Sequence, residues 1–274
     1  MRIGVVAPST PIQRDVAERV SALAAQRYPD AELHFHPQCF LAHKHFAGSD
    51  AERADALVEM ANDPRLDALW FARGGYGSCR IAEEVLARLG EPAAGKTYLG
   101  YSDAGFLLAG LYRNGIGRVA HGPMPNDIAR DGGEAAVARA LGWLVERSTA
   151  SLEPGLDAKA KAAAFNVMVL SQLLGTALEP DLSNHVLMLE EVSEHTYRTD
   201  RSMFHITGSA AIRKVAGIKL GRCSLVPDND PDFGESEEEV VRFWCQRAGI
   251  AYLGKADIGH DSDNKVVPFG ELNA

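Results

Sequence analysis

The first 147 residues alternate short apolar runs with helical patterns, and this alternation restricts the fold more than any other feature. The runs are RIGVVAP (2–8), ELHFHP (32–37), ALWFAR (68–73), TYLGYS (97–102) and VAHGP (119–123). Between them lie DVAERVSALAAQRY (15–28), SDAERADALVEMAND (49–63), a stretch ending near Leu89, and a helix entered from Ser102; EAAVARALGWLVER (134–147) follows the last run. Ser49 and Glu52 have the spacing of a capping box. Strands separated by helices of this length make βαβ units and therefore a parallel sheet. Ligand sites in such sheets lie at the carboxyl ends of the strands. Four unusual turns fall there: Pro8-Ser9, Arg73-Gly74-Gly75, Ser102-Asp103 and His121-Gly122-Pro123.

The small and charged residues of 148–164, with one Pro-Gly, read as a crossing between domains. The division is an N-terminal domain over 1–150, a linker over 151–164 and a C-terminal domain over 165–274. In the last, FNVMVLSQLLGT (165–176) has helical spacing, HVLMLEEV (185–192) and VAGIKLGR (215–222) read as strands, and YRTDRSMFHITGS (197–209) reads as a helix. SEEEVVRFWCQRAG (236–249) opens on acids, as a helix N-terminus prefers. Short strands and turns over 250–260 and 264–270 close the chain. The expected fold is α/β: an open parallel sheet flanked by helices, plus a smaller strand-rich α+β domain.

At 274 residues with 46% apolar content, the core needs no disulfide staples. A net charge of −9 argues against a nucleic-acid partner, which calls for a basic face. No stretch approaches 18 continuous apolar residues, so no membrane span is expected. The four cysteines are scattered without a CxxC pair, and the N-terminus lacks the apolar region of a secretion signal. Both features predict reduced thiols in a cytoplasmic protein.

Gly-Tyr-Ser-Asp (100–103) places a serine where a strand turns into a helix, the setting of a nucleophile elbow. Serine is also a preferred helix cap, so the local pattern leaves nucleophile and cap both open. A nucleophile needs a base and an oxyanion site. The Asp103 N–H at a helix start is one candidate donor, and the glycine turn of ARGGYGSCR (72–80) is a source of another. That turn is neither a Walker motif nor G-x-G-x-x-G. Of nine histidines, His260 stands out, in the polar loop DIGHDSDNK. His34, His36, His43 and His45 lack the further ligands of a metal site, so no metal or cofactor is expected. Glu190 and Glu191 end an apolar strand and face opposite ways, which makes one of them a candidate to orient the imidazole.

Taken in order, VVAPST, FAGSDAERADAL, ARGGYGSCRI, K-TYLGYSD, HGP, FNVMVLSQLLGT, LMLEEVSEHTYRTDR and IGHDSDNKVVPFG resemble the LD-carboxypeptidases of the S66 serine peptidase family along nearly the whole chain. The family includes muramoyltetrapeptide carboxypeptidases and microcin C immunity hydrolases. The resemblance implies a Ser102-Glu190-His260 triad and an oxyanion hole from the N–H groups of Gly75 and Asp103. It implies release of terminal D-Ala from cytoplasmic murein tetrapeptides, as in cell-wall recycling, by a homodimer. Arg73 is a candidate for the substrate carboxylate, or equally a partner for a structural acid. Two departures are the somewhat short chain and Ala104-Gly105, where relatives carry a Thr-containing helix start. The alternatives are cleavage of an aminoacyl- or peptidyl-nucleotide, as in the immunity relatives, and a non-catalytic protein holding an anionic ligand on helix N-termini.

Overall fold

The structure, a computed structural model, describes residues 1–157 and 159–272. The chain runs β1 (Arg2–Val6), α1 (Arg14–Arg27), β2 (Glu32–Phe35), α2 (Asp50–Asn62), β3 (Ala68–Phe71), α3 (Ala82–Ala87), α4 (Glu91–Ala94), β4 (Thr97–Gly100), α5 (Gly105–Arg113), β5 (Arg118–His121) and α6 (Gly133–Glu146). It continues with β6 (Lys161–Asn166), α7 (Val167–Leu173), β7 (His185–Val192), α8 (Thr196–Gly208), β8 (Gly217–Ser224), α9 (Glu237–Ala248), β9 (Tyr252–Lys255) and β10 (Val267–Pro268).

The first sheet has the order β10-β5-β4-β3-β1-β2. Its five N-terminal strands are parallel, as expected from the sequence. β3 is buried at every residue, which is why ALWF reads as a continuous apolar run rather than an alternating one. The chain leaves β1 for β2 on one side and returns to β3 on the other. A reversal of this kind opens a crevice beyond the carboxyl ends of the strands. The turns after β1 and β3 flank that crevice, and the turn after β4 lies beside them. The sixth strand comes from the far end of the chain: Val267 of β10 pairs antiparallel with His121 of β5.

The second sheet has the order β6-β7-β8-β9 and is parallel throughout. It is thus more regular than the α+β arrangement expected for this half. Helices α7, α8 and α9 pack in succession, and Ala162, Ala164, Met188, Ala256, Ile258 and Val267 form a separate apolar cluster. β6 begins at Lys161, inside the segment read as a linker, and Phe165 and Asn166 end it, so the helix expected from Phe165 starts only at Val167. Alanine is a weak strand former, which hid this strand. Ala162, Ala163 and Ala164 are nevertheless all buried, and Ala162 bridges to Gly270 just past β10. The first and last segments of the second half therefore meet against the first sheet.

Candidate active site

Three turns at the crevice hold one another in place. Thr10 Oγ1, after β1, donates to the Gly74 carbonyl at 2.7 Å. In a trans peptide the next N–H points the opposite way, so the Gly75 N–H is directed away from Thr10. Gly75 has φ +105°, and a Cβ there would lie 2.7 Å from Thr10 Oγ1. A Cβ on Gly74 would come within 2.8 Å of Ser102 Oγ and 3.5 Å of the Asp103 nitrogen. Only glycine lets this backbone approach so closely. The buried Asp103 carboxylate accepts from Ser9 Oγ and from the Ser78 N–H at 2.8 Å, and its carbonyl accepts from Ser78 Oγ. Asp103 therefore fastens the β1 and β3 turns to the β4 turn.

Ser102 adopts φ +60°, a left-handed conformation that costs a non-glycine residue about 1–3 kcal/mol. Its hydroxyl does not cap the helix: the residue before α5 is Ala104, and no side-chain hydrogen bond closes that end. The serine is thus held in a strained position and does no capping there.

Glu190 and Glu191 diverge at the end of β7. Glu190 is fully buried, and its Oε2 accepts from His260 Nδ1 at 2.5 Å. Burial alone would lower the imidazole pKa, but the charge and hydrogen bond of Glu190 outweigh it and hold it above its ordinary value. Nδ1 is thereby committed, and Nε2 is the nitrogen available to a neighbouring hydroxyl. Glu191 turns to the other face. It accepts from Asn166 Nδ2 at 2.6 Å, the Met168 N–H at 2.9 Å and the Val192 N–H at 2.8 Å, closing the start of α7. Burial, with the neighbouring Glu190 charge, raises its pKa to about 7 against those donors. The β7–β8 pairing shifts register between Leu189 and Glu191, yet the two acids still point apart. The His260 ring lies 4.8 Å from the ring of Tyr101, the residue before Ser102. His260 therefore lies against the residue next to Ser102.

Models of the LD-carboxypeptidase N-terminal and C-terminal domains match residues 3–122 and 160–273. The chain belongs to the LD-carboxypeptidase family. A Synechocystis sp. relative whose name assigns it to the carboxypeptidases, slr1534, is 31% identical over 98% of this chain and 89% of its own length. The murein tetrapeptide carboxypeptidase of Pseudomonas aeruginosa is 24% identical over 98% of this chain and 91% of its own. The crystal structure of muramoyltetrapeptide carboxypeptidase from Oxalobacter formigenes shares the fold, with a TM-score of 0.83 at 24% identity over 98% of this chain and 93% of that one.

The remaining candidates of this family member fall outside the crevice contacts. Arg73 is exposed and donates to the Pro11 carbonyl at 3.2 Å; among the described residues it has no acidic partner. His34 and His36 face Glu32 and Glu59, and no group of three possible metal ligands occurs among the described residues. Gly105 has a packing reason: a Cβ there would lie 2.9 Å from Val169 of α7, so the Ala104-Gly105 departure lets α5 and α7 close together. Arg53 was missed. It is fully buried, and its guanidinium donates to the carbonyls of Pro8 and Gly77, tying the β1 turn to the glycine turn. The signal was there: Arg53 shares the apolar face of α2 with Leu57 and Met60. Tyr101, Asp127 and Arg130 were missed as well, because they converge only in three dimensions.

Proposed function

We propose that this member of the LD-carboxypeptidase family is a serine peptidase that releases the terminal D-Ala of murein tetrapeptides by cleaving the L,D-peptide bond. Its carrying observation is the buried Glu190–His260 pair, set against the residue that precedes an uncapped, left-handed Ser102. In this reading His260 Nε2 takes the Ser102 proton, Ser102 attacks the carbonyl, and the imidazolium then protonates the leaving amine of D-Ala. Glu190 holds the Nδ1–H tautomer and stabilises the imidazolium. The N–H groups of Gly75 and Asp103 receive the developing oxyanion. Support comes from the approach of the preceding Gly74 to Ser102 and to the Asp103 nitrogen, and from Thr10, which fixes the peptide that carries the Gly75 N–H. Water attacks the acyl-enzyme with His260 again as base.

Arg73, exposed near the glycine turn, is assigned to the substrate's terminal carboxylate. In this assignment residues 1–150 carry the nucleophile and residues 165–274 the acid and base, in a cytoplasmic homodimer. The scheme uses no metal or cofactor, so activity is expected to survive EDTA; a loss on chelation that zinc restores would replace it with a metal mechanism. Mass spectrometry after incubation with tetrapeptides ending in D-Ala or L-Ala, and with an aminoacyl-nucleotide, tests the assignment. Loss of alanine from the D-epimer alone is expected. Equal cleavage of both epimers, or cleavage of the nucleotide conjugate alone, would overturn the substrate.

A further inference from the structure

His260 is gripped at three points, and the scheme above uses only one. Its Nδ1 meets Glu190, its ring lies against Tyr101, and its main-chain carbonyl accepts from Arg130 Nη1. Tyr101, Arg130 and Asp127 are themselves joined. The Tyr101 hydroxyl donates to Asp127 Oδ1 at 2.8 Å, and Arg130 Nε donates to the same oxygen at 3.0 Å. Asp127 Oδ2 accepts from the Met124 N–H at 2.8 Å. Tyr101 is 1% exposed and Asp127 3%, so these two are closely packed, and Arg130 reaches them from the exposed side.

Glu190 and the His260 loop both belong to the second half of the chain, so their hydrogen bond alone does not set His260 relative to Ser102. Arg139 of α6 donates to the carbonyls of Ser262 and Asn264, and β10 joins the first sheet; both hold the far side of the loop. Tyr101 and Arg130 act on His260 itself, and Tyr101 is bonded to the nucleophile's own residue. We propose that Tyr101, Asp127 and Arg130 are positioning residues that register the base against the nucleophile across the two sheets. This rests on the serine-peptidase reading. Misplacement of a catalytic group by about 1 Å costs roughly 10²-fold in rate, so a registering contact has a large lever.

The groups around the imidazole also make the proposal testable by sign. Glu190 and Asp127 raise the His260 pKa, and Arg130 lowers it. His121, fully buried and with its pKa lowered to about 4 by burial, faces the cluster as a neutral ring 5.4 Å from Tyr101. Arg130→Gln should lower kcat by about 10- to 100-fold with little change in KM, and Arg130→Lys should recover part of the loss. Arg130→Gln should also move the acid limb of the pH profile upward, whereas Asp127→Asn should move it downward. The decisive measurement is NMR titration of His260 in the Ser102→Ala background, with and without each second substitution. It does not depend on turnover, so a fully active Ser102→Ala would sink the serine reading while the titration still judges the registering contact. Opposite shifts of His260 with Arg130→Gln and Asp127→Asn are expected. Unshifted titrations, or wild-type kcat in Arg130→Gln, would overturn the proposal; so would a lower Tm with an unchanged pH profile, which marks a merely structural cluster.

Discussion

Around Ser102 the chain is placed by backbone geometry, whereas around His260 it is placed by paired side-chain charges. On the first side stand a left-handed serine, a glycine at φ +105° and short hydrogen-bonded turns closed by Thr10 and Asp103. On the second stand the Glu190–His260 pair and an arginine whose Nη1 grips the Asp257 carboxylate at 2.5 Å and whose Nη2 grips that of Asp261 at 2.8 Å, Arg222. The two solutions should fail differently. Backbone placement breaks by steric insertion and shows no pH dependence of its own. Charge placement breaks by neutralisation and carries a titration with it.

The largest expected effect removes the proposed nucleophile. Ser102→Ala should lower kcat by about 10⁶-fold, the scale seen when a triad serine is lost. Its Tm should hold, because the hydroxyl closes no helix end. Retention of a tenth of the activity would remove Ser102 from the mechanism and break the comparison on the backbone side.

Glu190→Gln comes next, at about 10⁴-fold in kcat, since the imidazole loses its orienting anion. It should also move a titration. The His260 pKa stands above the ordinary histidine value of about 6.5, so kcat/KM of the wild type should rise with pH through an apparent pKa above that value. Without the Glu190 charge, burial is the main influence left, and the limb should slide to lower pH. A Glu190→Gln enzyme with an unshifted limb would mean that the limb belongs to another group.

Gly75→Ala tests the backbone side and should cost roughly 10²- to 10³-fold, the scale of one lost oxyanion donor. The methyl group would meet Thr10 at 2.7 Å in a conformation that L-residues avoid. The pH profile should keep its shape. A changed profile would show that the two sides are not separable.

The difference between the sides also explains what was legible in the chain. The turns after β1, β3 and β4 could be found because their composition is local: glycines, a proline and a serine at strand ends. The five N-terminal strands were legible because each carries its own apolar run. β10 falls within the short strands and turns read over 264–270, but its place beside β5 was not legible, since two residues have no period; β6 was hidden by alanines whose small size serves close packing from both faces. Tyr101, Asp127 and Arg130 were illegible for a different reason. Tyr101 reads as one more core aromatic at the end of the β4 run, and nothing near Arg130 in sequence announces that its partner is the carbonyl of residue 260. Contacts of that separation are made by topology.

The smallest expected effect sharpens the comparison within a single dipeptide. Glu191 is as buried as its neighbour, but it faces the start of α7 and touches no group of the proposed chemistry. Glu191→Gln should therefore change kcat by about threefold or less, far below the 10²-fold expected from a 1 Å misplacement. Its mark should be on stability. With a folded-state pKa of about 7 against about 4.3 for a free glutamate, Glu191 binds its proton more tightly in the native state. The stability it contributes by that route is fully present below about pH 4.3 and is lost as pH rises through about 7. Glutamine removes this titration, but its amide accepts fewer of the three hydrogen bonds from Asn166, Met168 and Val192, at a cost of about 1–3 kcal/mol. The variant should melt below wild type at pH 5, and the gap should narrow by pH 8. Melting curves at the two pH values, with kcat on the same tetrapeptide, check both halves of the claim. If Glu191→Gln is the inactive variant and Glu190→Gln the active one, the orienting acid lies on the other face of β7.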